Sequence, residues 1–147
     1  MSKINEMLES LDAMSFRHAT PLQLRFNDID VLGHVNNNSQ FALFDVGKTE
    51  FYNTIGGMLA NWKRVEAVIV NINCTFMRQI LFKNHIEVRS RVKEIGERSF
   101  VIDQILRDTD SGEICSYCES VMVSIDFDTR ESKPIPEELR AALHSWL

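Results

Sequence analysis

The sequence predicts an α+β domain in which a five-stranded antiparallel sheet wraps around one long central helix. One segment, from about Ser39 to Ile55, has apolar residues at helical spacing. A shorter alternating segment precedes it, and four segments rich in β-branched and aromatic residues follow it. Because one helix and one sheet must bury their apolar faces against each other, we expect the sheet to curl around the helix.

The elements up to the central helix follow from local patterns. Apolar side chains recur every three or four residues at about 2–14, which predicts a short amphipathic helix. Apolar and polar residues alternate from Leu22 to Phe26, which predicts the first strand. Asn27 to Asn38 form a polar connection. Asn37, Asn38 or Ser39 can cap the start of the central helix, and the pair Gly56-Gly57 ends that helix.

Gly47 lies near the middle of the central helix, where glycine costs about 1 kcal/mol relative to alanine. Aromatic residues flank it, which argues against a solvent-exposed turn. We therefore expect the helix to approach the sheet closely at this position.

Four strands are expected after the helix: Val65 to Met77, His85 to Ile95, Ser99 to Asp108 and Glu113 to Asp126. Turn-forming residues separate neighbouring strands, so the pattern predicts three successive hairpins, an antiparallel meander. A C-terminal helix at about 136–146 begins at Pro136 and carries Leu139, Ala142, Leu143 and Trp146 on one face.

Composition and charge are typical of one globular domain over residues 1–147, with the sheet and central helix at about 20–128. The 147 residues are 44% hydrophobic and include 16 Lys and Arg against 21 Asp and Glu, a net charge of −5. An acidic chain has no bulk basic field that would attract nucleic acid or an anionic membrane. Since no apolar stretch reaches the roughly 18 residues of a membrane span and charges interrupt the N-terminal segment, we expect a cytoplasmic protein.

The three cysteines include a Cys-x-x-Cys pair, Cys115 and Cys118, of a kind that can bind zinc or carry redox chemistry. That pair lies within a predicted strand, where positions three apart point to opposite faces. Reduced structural cysteines are therefore the expectation, and neither a metal nor a cofactor is expected.

The densest cluster of polar residues runs from Arg25 to Asn38, between the first strand and the central helix. A helix start supplies unpaired N–H groups and a positive dipole end, which stabilise a developing anion. A carboxylate beside such donors is typical of an acyl-transfer site. The alternative is that these aspartates and asparagines only form turns and caps.

Within that cluster the motif Asp28-x-Asp30-x-x-Gly33-His34-Val35-Asn36-Asn37 resembles the opening motif of hotdog-fold acyl-CoA thioesterases of the 4-hydroxybenzoyl-CoA thioesterase family. The resemblance covers about residues 20–128 and includes the helix pattern Phe44-Asp45-Val46-Gly47-Lys48. It implies a hotdog fold and the hydrolysis of acyl-CoA to free acid and CoA. Asp30 would be the nucleophile or general base, the N–H of Asn37 would polarise the thioester carbonyl, and His34 would assist Asp30 or shape the loop.

The same stretch is similar to acyl-acyl-carrier-protein thioesterases, which use Asp, Asn and His, although Leu32 stands where the asparagine is expected. Gln40 occupies a helix position that often holds tyrosine. A second hotdog arrangement places the catalytic carboxylate on the central helix, which makes Asp45 and Glu50 further candidates. An i, i+3 ion pair of Asp45 with Lys48 is the simpler interpretation. A non-catalytic acyl-CoA-binding module and a purely structural oligomer are the remaining alternatives.

The phosphates of CoA require cations, and a predicted strand carries Arg89, Arg91 and Lys93 on one face, with Arg98 across the next turn. A solvated outer face is the alternative for this stripe. Among the apolar strand residues, we expect most to form core and some to line an acyl pocket: Val68, Val70, Ile72, Phe76, Phe100 and Ile102. The resemblance also implies a homodimer joined edge to edge, or a homotetramer that is a dimer of dimers, with each site completed by the neighbouring subunit.

Overall fold

In the computed structural model, which describes residues 2–59 and 65–147, the elements follow the predicted order. They are α1 (Lys3–Ser10), β1 (His18–Pro21), α2 (Asn37–Met58), β2 (Ala67–Phe76), β3 (Ile86–Ile95), β4 (Ser99–Asp108), β5 (Ile114–Ser124) and α3 (Glu137–His144). The strands form one antiparallel sheet in the order β1-β3-β4-β5-β2. With α2 packed on one face of this sheet, the predicted α+β fold with a long central helix is confirmed.

Helix α2 approaches the sheet closely at Gly47, as predicted. Its side chains Phe44, Phe51 and Ile55 are fully buried. A Cβ atom on Gly47 would lie 2.6 and 2.7 Å from the two γ-methyl carbons of Val88 on β3. Only glycine leaves room for that contact, so the glycine sets the distance between helix and sheet.

The first strand is His18–Pro21, and the prediction of a strand from Leu22 to Phe26 is wrong. Arg25 instead begins a 3-10 turn over Phe26–Asp28, where its backbone N–H donates to the Asp28 carboxylate at 2.7 Å. Leu22 and Leu24 still pack against the core, and that half-buried apolar pair produced the strand-like pattern.

The prediction of three successive hairpins is also wrong. β3, β4 and β5 form two hairpins, but β2 pairs with β5 at the far side of the sheet rather than with β3. The segment 77–85 must therefore cross from one side of the sheet to the other. Asn84 does form the turn that its sequence indicates, since its carboxamide accepts a hydrogen bond from the Leu81 N–H at 2.7 Å.

β2 is an edge strand, and its apolar side chains are exposed rather than buried as predicted. Val70 is 58% exposed, with Val68, Ile69 and Ile72 at 37–39%. Phe100 and Ile102, on β4, are buried as expected. Position in the sheet explains the difference, because β4 has a paired strand on each side and β2 on one.

The terminal helices cover different parts of the domain. Residues of α1 pack with Phe16 against Ile105 and Tyr117 of the sheet. Leu139, Ala142 and Leu143 of α3 are buried in one cluster with Phe51 and Ile55 of α2, and Trp146 packs against it. The predicted apolar face of the C-terminal helix is confirmed.

Candidate active site

The loop before α2 is a tight turn closed between Asp30 and His34. The Asp30 N–H donates to the His34 carbonyl at 3.1 Å, and the Gly33 N–H donates to the Asp30 carbonyl at 3.0 Å. Gly33 has φ +87°, a left-handed conformation that glycine adopts without strain. The motif thus places the Asp30 carboxylate at a defined turn next to the helix start.

The Asp30 carboxylate is half-buried and only partly engaged. Its Oδ1 accepts a hydrogen bond from the Leu32 N–H at 2.9 Å, while Oδ2 accepts none from the described residues. Val31 and Leu32 are exposed at the tip of the turn. One oxygen therefore orients the carboxylate, and the other is available to a substrate or a water molecule.

Asp28, by contrast, is a structural residue. It is 5% exposed, its Oδ2 accepts from the Arg25 N–H, and its carbonyl accepts from the Asn36 N–H at 2.8 Å. These bonds fix the loop against the helix start.

The N-terminus of α2 offers an unpaired N–H group. Asn36 caps the helix, because its Oδ1 accepts from the Asn38 N–H at 2.8 Å. The N–H of Asn37, the first helical residue, donates to no acceptor in the described residues, and Asn37 is an exposed residue. It is a hydrogen-bond donor at the positive end of the helix dipole.

A pocket of about 210 Å³ opens at this helix start. Its lining residues are His34, Val35, Asn37, Gln40, Phe76, Met77, Arg78 and Gln79. The structure therefore brings together His34 and Asn37, two of the three predicted catalytic residues. Asp30 lies on the adjoining turn and does not line this pocket.

The second wall of the pocket is the start of the segment that crosses from β2 to β3, which sequence reasoning missed. The Met77 and Arg78 N–H groups both donate to the Cys115 carbonyl at 2.9 Å, and the Val35 N–H donates to the Ile80 carbonyl at 2.7 Å. Phe76 also stacks edge-on against Phe41 of α2, with ring centroids 6.0 Å apart. This wall forms because β2 pairs with β5. The predicted hairpin between β2 and β3 gives no indication of it.

Arg78 is the exposed cation at the pocket, with its guanidinium 3.8 Å from the Glu113 carboxylate. The predicted CoA-binding cations lie elsewhere, on β3 and its turn. Arg89 donates to the Phe16 carbonyl at 2.8 Å and to the Glu87 carboxylate at 3.1 Å. Arg98 donates to the Ser132 carbonyl at 3.0 Å.

Arg91 and Lys93 are paired across the sheet with carboxylates. Nε and Nη2 of Arg91 donate to the two carboxylate oxygens of Asp103, at 2.9 and 3.0 Å, and Asp103 is fully buried. Lys93 pairs with Glu119. A phosphate would have to compete with carboxylates at Arg89 and Arg91 and with the Ser132 carbonyl at Arg98, so binding of CoA by these three arginines stays a prediction.

The two candidate carboxylates on α2 are both exposed. Asp45 is exposed, and its Oδ1 lies 3.4 Å from Nζ of the buried Lys48, which is the expected i, i+3 ion pair. Glu50 is exposed on the same helix. Neither carboxylate lines the pocket at the helix start.

The three cysteines are free thiols. Cys118 Sγ lies 2.6 Å from Cys74 Sγ on the neighbouring strand, whereas Cys115 Sγ lies 3.9 Å from the Glu113 carbonyl. Burial raises the pKa of the Cys115 thiol to about 11, which keeps it protonated at neutral pH. Cys115 and Cys118 therefore have separate partners, as their spacing on a strand predicts.

No group of three His, Cys, Asp or Glu side chains within residues 2–59 and 65–147 is arranged to hold a metal ion. Over the same ranges, no helix has the length and apolar character needed to cross a membrane.

The five-stranded antiparallel sheet and the long central helix define a hotdog-fold protein. Residues 24–143 match the family model of the thioesterase-like superfamily, and the chain belongs to that superfamily. The predicted thioesterase class is thereby confirmed.

Three similar proteins agree with this membership. The long-chain acyl-CoA thioesterase FadM of Escherichia coli is 22% identical over 129 residues, which are 87% of this chain and 98% of FadM. The structure of a predicted thioesterase from Bacillus stearothermophilus superposes with a TM-score of 0.77 at 24% identity and covers 88% of this chain and 95% of that one. A thioesterase from Thermus thermophilus, solved with coenzyme A and zinc, gives a TM-score of 0.75 at 22% identity, over 87% of this chain and 92% of that one.

Proposed function

We propose that the protein hydrolyses acyl-CoA thioesters to the free acid and CoA, using Asp30 and the N-terminus of α2. The observation that carries this proposal is that the loop and helix start of each chain present an unpaired N–H at Asn37, in a pocket, and a carboxylate with one free oxygen at Asp30. Together they supply the oxyanion donor and the base or nucleophile that thioester hydrolysis needs.

In the general-base form, the Asp30 carboxylate removes a proton from a water molecule, whose oxygen attacks the thioester carbonyl carbon. The carbonyl oxygen becomes an oxyanion that accepts a hydrogen bond from the Asn37 N–H. Collapse of this intermediate breaks the C–S bond, and the CoA thiolate takes up a proton. In the nucleophilic form, an Asp30 oxygen attacks the carbonyl carbon, the C–S bond breaks and the CoA thiolate leaves and takes up a proton. Water then hydrolyses the mixed anhydride to the free acid and the Asp30 carboxylate.

His34 adjoins both elements, since its carbonyl accepts a hydrogen bond from the Asp30 N–H and the residue lines the pocket. We assign it to shaping the turn or assisting Asp30. Arg78 is the exposed cation at the pocket and joins the predicted arginines as a candidate for a CoA phosphate.

We infer further that each site is shared between two copies of the chain. The pocket containing Asn37 is not lined by Asp30 of the same chain. The edge strand β2 exposes apolar side chains and an unpaired backbone edge, which a second copy would cover. Edge-to-edge pairing in a dimer, or in a tetramer of two such dimers, would cover the exposed edge of β2 and could bring Asp30 of one copy to the Asn37 pocket of the other.

A panel of acyl-CoA esters with detection of the free thiol tests the activity. Release of thiol supports the proposal. Binding of acyl-CoA without release of thiol contradicts it and indicates a non-catalytic acyl-CoA-binding protein. Acyl-acyl-carrier-protein substrates, tested in the same assay, decide between the two carriers.

Mixed dimers test the shared site. Asn37→Pro removes the helix-start N–H, and proline is well tolerated at the first helical position. In a dimer of one Asp30→Asn chain and one Asn37→Pro chain, a shared arrangement gives one intact site and one doubly altered site. Random mixing should then restore about a quarter of wild-type activity, since half the dimers are mixed and half their sites are intact. No recovery would place each site within one chain.

A further inference from the structure

Cys74 and Cys118 form a close pair of thiols on the face of the sheet that packs against α2. Both belong to one cluster with Leu43 and Phe44 of that helix. They are directly opposite each other on the paired strands β2 and β5, and their sulfur atoms lie 2.6 Å apart. Opposed residues of antiparallel strands have Cα atoms about 4.5–5.5 Å apart, and a disulfide bond spans about 4.4–6.8 Å between Cα atoms. The strand pairing therefore holds the two cysteines at a separation that a disulfide bridges without movement of the backbone.

The surroundings of this pair favour a reactive thiolate. The Cys74 S–H donates to Cys118 Sγ, and this hydrogen bond lowers the pKa of the Cys118 thiol, as does the ammonium of the buried Lys48, while burial opposes the shift. The same hydrogen bond raises the pKa of the Cys74 thiol, which keeps the shared proton. Cys118 is fully buried and Cys74 is half-buried, so a small oxidant has access to the pair from the side of Cys74. A stabilised thiolate in contact with a second thiol is the arrangement of redox-active cysteines.

Cys115 provides the contrast within the same chain. It is buried, its Sγ lies 3.9 Å from the Glu113 carbonyl oxygen, and burial raises the pKa of its thiol to about 11. The Cys-x-x-Cys spacing of Cys115 and Cys118 therefore does not identify the reactive pair. The pairing of β2 with β5 identifies it, because that pairing brings Cys74 to Cys118.

We propose that Cys74 and Cys118 are a site of reversible oxidation, at which hydrogen peroxide converts the two thiols to an intrachain disulfide. A thiolate sulfur of the pair attacks one peroxide oxygen and the O–O bond breaks, which gives a sulfenic acid. The hydroxide that leaves takes up the proton released when the thiolate formed. The sulfur of the second cysteine then attacks the sulfenic sulfur, the S–O bond breaks, and the hydroxyl group leaves as water with the proton of the second thiol. The two thiols are oxidised, and the peroxide is reduced to water.

The disulfide would fasten the edge strand β2 to β5 beside the pocket. Cys74 precedes Phe76 by two residues, and Phe76 lines the pocket. The cross-link closes the loop from residue 74 to residue 118, which restricts the unfolded chain. We therefore expect oxidation to raise the urea midpoint by about 1 M or more. This inference does not depend on the proposed function.

Peptide mapping of the folded protein tests the site. The protein is treated with a slight molar excess of hydrogen peroxide, its remaining thiols are alkylated in urea, and its tryptic peptides are measured by mass spectrometry. Cys74 lies in the peptide 65–78, and Cys118 lies in the peptide 108–130. We expect these peptides to be joined at a mass lower by two hydrogens than their sum, with Cys115 alkylated and most of the alkylated Cys74 lost. Dithiothreitol should separate them again.

Cys115→Ser is the matched control, and it should keep both the cross-link and the increase in urea midpoint. Cys74→Ser, at the half-buried position, should lose both, and so should Cys118→Ser. The wild-type map is decisive even if the variant at the buried Cys118 does not fold. Full alkylation of Cys74 and Cys118 after peroxide treatment overturns the proposal. A cross-link that persists in Cys118→Ser, or one that joins two chains into a species of twice the mass in denaturant, also overturns it.

Discussion

Gly47→Ala is expected to lower the free energy of unfolding, although alanine is the better helix former. The added Cβ would lie 2.6 and 2.7 Å from the Val88 γ-carbons and 2.8 Å from Nε2 of Gln104, closer than real contacts allow. Val88 is fully buried and its branched side chain is stiff, with a methyl group on each side of the clash. Gln104 cannot withdraw without weakening its two hydrogen bonds.

Overpacking of this kind costs about 1–3 kcal/mol, and strained hydrogen bonds to Gln104 add about 1 kcal/mol. The helix preference for alanine returns about 1 kcal/mol. The net expectation is a loss of about 2 kcal/mol, or a decrease in Tm of roughly 4–8 °C for a chain of this size.

Urea denaturation of Gly47→Ala, Val88→Ala and the double variant measures this loss. Removing the Val88 methyl groups relieves the clash, so the double variant should be more stable than the sum of the two single losses predicts. A Gly47→Ala protein as stable as the wild type, or additive losses in the double variant, would refute the close approach of α2 to β3.

Three further outcomes follow from the packing and charges. Burial lowers the pKa of His18 below 6.5, and the Glu50 carboxylate opposes the shift. As the pH falls, the unfolded chain therefore binds the proton first, and the free energy of unfolding should decrease below about pH 6.5. Urea midpoints measured at several pH values should show this decrease in the wild type and not in His18→Gln. Arg91→Ala leaves the buried Asp103 carboxylate without its cation and should lower the free energy of unfolding by about 3 kcal/mol, whereas a loss under about 0.5 kcal/mol in urea denaturation would contradict a structural pair. Val70→Lys adds a charge to the exposed edge of β2, so sedimentation should show a shift towards monomer and lower specific activity, and an unchanged assembly would place the subunit contact elsewhere.

The helix, the last four strands and the close contact at Gly47 follow from sequence patterns. The spacing of apolar residues indicates which face is buried, and a glycine that is unfavourable in the middle of a helix indicates close packing there. The order of the strands does not. The signal at Asn84 is a genuine turn, but a turn does not specify which strand the chain meets next. Pairing of β2 with β5 depends on contacts between residues about 40 to 60 positions apart, which no local pattern encodes.

The same limit applies to the site. The motif places Asp30, His34 and Asn37 in one segment, so their proximity to the helix start is readable from the sequence. The wall at Phe76 and Arg78 depends on the strand order and is not readable. The arginines of β3 share a face as predicted, yet their carboxylate partners lie on other strands or two residues away, and only the fold shows that these cations are engaged.

The turnover of Asp30→Asn, followed by release of free CoA thiol on the best substrate, tests the central claim most directly. The substitution keeps the shape of the side chain and removes the charge that acts as base or nucleophile. We expect turnover to fall at least about a hundredfold with the fold intact by circular dichroism, while Asp45→Asn, at the exposed carboxylate of α2, retains most of its activity. Wild-type turnover in Asp30→Asn would contradict the assignment, and a large loss in Asp45→Asn instead would move the catalytic carboxylate to the central helix.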